Sequence, residues 1–136
     1  MEKFAFILHP LSLQDMEHLS PLMRYIPDPI IEACLKMKKP FKVSHITGIK
    51  SPYAEAEGWF IGCPLTAKQM VELPEEFVMD RIIESGKVAQ ELGAKIVGLG
   101  AFTSIVGDAG ITVAKNLDIA VTSGNSYTVA TAIQGT

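Results

Sequence analysis

Apolar residues run almost without a break from Phe4 to Leu8, and such a run, rich in β-formers, predicts a strand over residues 3–9 covered on both faces. His9-Pro10 ends it. Ser12 with Asp15 three residues on has the spacing of a capping box for a short helix. Pro21, Pro27 and Pro29 interrupt the next stretch, and a helix is expected over 29–38 with proline in its first turn. Residues 41–49 alternate, with Phe41, Val43, His45 and Thr47 on one side, and predict a second strand. Ser51-Pro52 is turn chemistry, and 57–63 reads as a third strand, antiparallel to the second.

Thr66 and Gln69 form a second capping-box pair. Pro74, followed by Glu75 and Glu76, opens the clearest helix in the chain, because proline and acids both favour a first turn. Val78, Ile82, Ser85, Ala89 and Leu92 make its inner stripe, and Gly93 stops it. Residues 95–100 then read as a short buried strand. Asp108 is placed to cap a helix to residue 116, 119–122 read as another buried strand, and a last helix starts at Tyr127. Helices alternating with strands in this half predict parallel pairing with right-handed crossovers. The expected fold is a three-layer α/β domain over residues 1–136, with about five mostly parallel strands and one antiparallel hairpin. The last helix reaches Thr136 inside an apolar pattern, so the chain is expected to continue.

Composition narrows the classes. With 48% hydrophobic and 20% charged residues, the chain is an ordinary globular one, long enough to bury a core without staples. A net charge of −3 without a basic stripe argues against nucleic acid. No apolar run reaches the length of about 20 residues that spans a bilayer. The two cysteines, Cys34 and Cys63, sit among apolar neighbours without a signal peptide, which predicts reduced thiols and a cytoplasmic protein.

The segment Gly98-Leu-Gly-Ala-Phe-Thr-Ser104 follows a strand, but it lacks the third small residue and the direct helix start of a dinucleotide fingerprint. The acid that such a fold wants at the end of its next strand is missing too. No cofactor is therefore expected on this domain itself. The glycines permit close backbone approach, while Thr103 and Ser104 supply hydroxyls at the carboxyl end of a strand. The next strand delivers Ser123, Gly124, Asn125 and Ser126 to the same edge, where ligands sit in parallel sheets. Two such loops, each opening a helix, could hold a carbonyl, carboxylate or phosphate; equally, Ser, Thr and Asn could be caps and nothing more. No Cys/His spacing suggests a metal site. Cys63 lacks a partner spacing for a nucleophile, and no catalytic residue is assigned.

The stretches from Gly98 to Ile105 and from Thr122 to Thr128, with Trp59-Phe-Ile-Gly-Cys63 and Phe4 to Pro10, resemble the amino-terminal part of the aldehyde-forming long-chain acyl–acyl-carrier-protein reductases and related predicted amino-acid or shikimate-type dehydrogenases. The resemblance covers essentially the whole chain. It implies the substrate-binding part of an oxidoreductase that reduces an acyl thioester with NADP or NAD. The cofactor would belong to a following Rossmann domain in cis, and this part alone would be inactive. It also implies one wall of a substrate cleft made by Phe102, Thr103, Ser104, Ser123, Gly124, Asn125 and Thr128. A module that binds a small ligand or an acyl carrier without catalysis is the competing reading. Self-association is expected through Tyr127, Val129, Ala130 and Ile133 on the last helix.

Overall fold

The computed structural model describes residues 1–10, 12, 14 and 20–135. The expected helix capped by Ser12 with Asp15 lies outside the described residues. Five strands form one sheet in the order β2-β3-β1-β4-β5. They are β1 (Glu2–Leu8), β2 (Phe41–Lys50), β3 (Glu55–Gly62), β4 (Ile96–Leu99) and β5 (Ala120–Thr122). β2 and β3 pair antiparallel, and every other pairing is parallel. The expected mostly parallel α/β sheet with one antiparallel hairpin is therefore present.

The helices are α1 (Asp28–Met37), α2 (Ala67–Glu72), α3 (Glu75–Glu91), α4 (Ile111–Lys115) and α5 (Asn125–Gln134), with 3-10 turns at Pro21–Tyr25 and Ala101–Ser104. The Thr66 capping box forms as its spacing requires. The Gln69 N–H donates to Thr66 Oγ1 at 3.2 Å, and the Thr66 N–H donates to Gln69 Oε1 at 3.0 Å. Gln69 Nε2 also donates to the Glu32 carbonyl at 2.9 Å, which ties α2 to α1. The helix expected to be capped by Asp108 is a single turn and begins later, after Gly110 at φ 98°. Asp108 still receives the Thr112 N–H, at 3.0 Å, so it caps from further upstream.

Alternation along the strands divides the sheet in two. On the face under α3 stand Ala5 and Ile7, opposite Trp59 and Ile61 on one side and Val97 and Leu99 on the other. Each of these six is buried, and Val78, Ile82 and Ala89 of α3 close over them. Full burial of an Ile or Val side chain contributes about 1.5–3 kcal/mol, so this layer carries the stability of the fold. Gly86 lets α3 accept Leu117, because a methyl there would stand 2.4 Å from Leu117 Cδ1.

The opposite face is different. Phe4, Phe6 and Leu8 point there, beside Phe60 and Ile96, yet Phe6 is 43% and Ile96 40% exposed. Glycine on the neighbouring strands lets the rings lie down. Methyls at Gly58 and Gly98 would come within 2.5 Å of the Phe4 and Phe6 rings. The third layer that the apolar run of β1 calls for is not contributed by the described residues. Helix α5 has no buried residue and does not supply it.

Candidate functional site

The carboxyl ends of the parallel strands all reach one edge of the sheet, and each hands over to a different chemistry. β1 is followed by His9 and Pro10. The His9 Nε2 accepts the Phe102 N–H at 3.1 Å, and its Nδ1 lies 3.0 Å from the Pro10 carbonyl. An Nε2 that accepts must be bare, so the proton sits on Nδ1 and is donated to Pro10. The His9 and Phe102 rings meet edge to face at 5.8 Å. This imidazole joins the end of β1 to the turn after β4.

That turn is tight. The Gly100 N–H donates to the Ile7 carbonyl at 3.1 Å, and a methyl on Gly100 would stand 2.8 Å from the same oxygen. The close approach expected of Gly98 and Gly100 is therefore real, but it is made to Phe6 and Ile7 of the chain itself. Ala101 follows with φ 50°, a left-handed conformation in which a Cβ is strained. The Thr103 hydroxyl donates to the Gly100 carbonyl at 2.7 Å and is buried, and the Ser104 hydroxyl donates to the Ala101 carbonyl at 2.7 Å. Both hydroxyls thus close the 3-10 turn. Phe102 is half-buried and lines a cavity of about 240 Å³ with Met70, Leu73 and Ile105.

β5 is parallel to β4, with Gly98 opposite Thr122, so its loop leaves from the same edge. Here too the hydroxyls turn back on the chain. Thr122 Oγ1 accepts the Gly124 N–H at 3.1 Å, Ser123 Oγ accepts the Asn125 N–H at 3.5 Å, and Thr128 Oγ1 donates to the Gly124 carbonyl at 3.0 Å. Gly124 has φ 76°, and Asn125 is exposed. The two loops share an edge as expected, while no hydrogen bond between them is present among the described residues.

β3 ends at Gly62, and the Cys63 N–H donates to the Leu8 carbonyl at 2.7 Å, extending the β1–β3 ladder by one bond. Cys63 is fully buried, and burial pushes its thiol up to about 11 against a hydrogen bond with Ser85 that acts the other way. At neutral pH it is a protonated core residue and no nucleophile.

Beside Cys63 lies a second cavity of about 240 Å³, lined by Leu8, His9, Leu35, Lys38, Phe41, Val43, Gly62 and Pro64. Its wall is almost wholly apolar. The polar exceptions are His9 and Lys38, and the Lys38 ammonium rests 4.3 Å from the centre of the Phe41 ring, a cation–π contact that holds a positive charge at the cavity. Larger openings exist elsewhere, and their linings differ. A groove of about 780 Å³ between α3 and α4 carries Glu75, Glu76, Asp80 and Asp108, and one of about 480 Å³ beside α1 is polar. A distinct group lies on the helix-covered face. His45 stacks on Trp59 at 5.4 Å and 8°, and its Nε2 is 3.1 Å from a Glu57 oxygen whose partner oxygen lies 3.5 Å from Lys3.

No protein-family model matches the chain. A stretch of 87 residues, 64% of the chain, is 38% identical to the aminotransferase PigE of Serratia sp. (strain ATCC 39006). The match spans only 10% of that relative's length. This finding corrects the reading as an oxidoreductase or dehydrogenase, since the relative carries the name of an aminotransferase. Among the described residues no helix is long and apolar enough to cross a membrane.

Proposed function

We propose that this chain is a binding module of a larger enzyme, holding a small apolar ligand with an anionic end in the cavity beside Cys63. The observation that carries the reading is the apolar cavity at the carboxyl ends of β1 and β3, with the Lys38 ammonium on its wall. Ligands of parallel sheets bind at that edge, and an apolar lining with one charged group both drives burial and sets orientation. Size limits the ligand. At about 30 Å³ per heavy atom, as for liquid water, 240 Å³ holds about eight heavy atoms. A short carboxylate such as hexanoate fits that bound.

The partial likeness to PigE supports a place beside amino-transfer chemistry within a longer chain, because the aligned stretch is a tenth of that protein. The free thiols of Cys34 and Cys63 support a reducing, cytoplasmic setting. The polar loops at Phe102–Ser104 and Ser123–Thr128 supply backbone geometry to the same edge, with their hydroxyls acting as caps.

Butanoate, hexanoate and octanoate, with hexylamine as the opposite charge, would be titrated while amide spectra and melting curves are recorded. Saturable shifts at His9, Lys38 and Gly62, strongest for hexanoate and absent for hexylamine, are expected. A charge-assisted hydrogen bond contributes about 1.5–3 kcal/mol, so Lys38→Met should weaken binding by about tenfold or more. Equal response to carboxylate and amine, or none to either, sinks the reading.

A further inference from the structure

The ring-paved face of the sheet and helix α5 are each unsatisfied, and they fit one another. Parallel sheets stand with both faces covered, and the unbroken apolar run of β1 is the pattern of a strand inside such a sheet. Here Phe6 is 43%, Leu8 38% and Ile96 40% exposed on one face. Helix α5 is a helix without a layer: it carries no charged residue, and Tyr127 and Val129 are 78% and 57% exposed. With Ala130 and Ile133 they occupy less than half of its circumference, an apolar face of the width that packs on a sheet. The helix leaves β5 through Gly124, at φ 76° and with nothing within 4 Å of where a Cβ would stand, so no neighbouring group crowds the joint.

We infer that the open face is the interface between two copies of this chain, each laying α5 across the ring-paved sheet of the other. Each copy owns one uncovered face and one uncovering helix, so a reciprocal exchange satisfies both in both copies and closes with two-fold symmetry. The chain as a whole exposes 8535 Å², whereas a folded monomer of 14.7 kDa exposes about 6,900 Å². That whole-chain excess is enough to supply the roughly 800 Å² that each partner gives to a standard stable interface. The face is apolar over Phe4, Phe6, Leu8, Phe60 and Ile96, which suits an apolar helix, and its one charge on β1, Glu2, stands at the amino end and is paired with Lys95 at 3.4 Å.

Sedimentation of the 136-residue chain from low to high micromolar concentration tests this. A reversible dimer is expected. Val129→Glu, on a helix with no buried residue, should raise the dissociation constant at least tenfold without changing the circular dichroism of the monomer. Phe6→Ser should do the same from the other side, and Tyr53→Glu, in the exposed hairpin turn, should leave the dimer unchanged. A monomer throughout the range overturns the inference and indicates closure of α5 onto its own sheet or cover by a different partner. A dimer that resists Val129→Glu overturns it as well, whether or not Phe6→Ser folds.

Discussion

At the scale of single residues, glycines and buried groups make the sharpest tests. Gly98 and Gly100 both lack room for a methyl, but what they meet differs. At Gly98 the obstacle is the Phe6 ring, the end of a movable and half-exposed side chain; at Gly100 it is the Ile7 backbone carbonyl. Gly100→Ala should therefore destabilise by about 1–3 kcal/mol, the cost of overpacking against something that cannot yield, and Gly98→Ala by clearly less. Denaturant midpoints of the two variants decide this, and equal losses would refute the distinction. The cysteines part in the same way. Cys34 is exposed and should take up iodoacetamide in the native chain, while buried Cys63, its thiol raised to about 11, should react only after unfolding. The raised value has a consequence for stability. The unfolded thiol ionises near 9 and the folded one near 11, so stability is full below pH 9 and declines through that window. Cys63→Ser should flatten that decline. Glu57 acts with the opposite sign. The hydrogen bond from His45 and the nearby Lys3 hold its carboxyl below the ordinary 4.5, so its contribution is present above that pH and is lost as acid protonates it. A melting series from pH 7 to 3 should fall less steeply in Glu57→Gln.

At the scale of elements, much was legible because local chemistry and tertiary need agree. Pro74 with its two acids marked the start of α3, and the Thr66–Gln69 pair marked α2 to the residue. That capping box is also buried, so Gln69→Ala strands the Thr66 N–H and removes the tie from α2 to the Glu32 carbonyl of α1. A loss of about 2 kcal/mol or more in denaturant unfolding is expected. The helix expected from Asp108 ends at Asn116 as its pattern requires but starts only after Gly110, because Asp108 caps Thr112 from further upstream and a capping acid does not fix how many turn residues precede the helix. The polar loops show a deeper limit. A hydroxyl at the carboxyl end of a strand has the same signature whether it faces a ligand or closes its own turn, and Thr103, Ser104 and Thr128 close turns. The apolar cavity had no signature at all. Its wall is gathered from Leu8, Leu35, Phe41 and Gly62, residues that pattern alone assigns to separate elements.

At the scale of the molecule, the chain is a sheet with one finished face. The core under α3 accounts for folding, and the far face accounts for company. Since α5 has no buried residue, removing residues 125–136 should leave the melting temperature of the dilute chain within a few degrees, while abolishing its association. A large loss of stability at low concentration would mean that α5 already packs on its own sheet.

The irregular outer strand has a further consequence. Among the described residues β2 pairs with β3 alone, and its register shifts between Lys42 and Ser44 and again between Ile46 and Ile49. A doubly kinked border with lysines at positions 42 and 50 offers no straight row of backbone donors and acceptors to a stranger. The other border, β5, is only three residues long. Growth by adding strands is thus blocked at both ends of the sheet. What greasy surface the folded protein shows therefore favours a finite particle over edge-to-edge stacking of sheets.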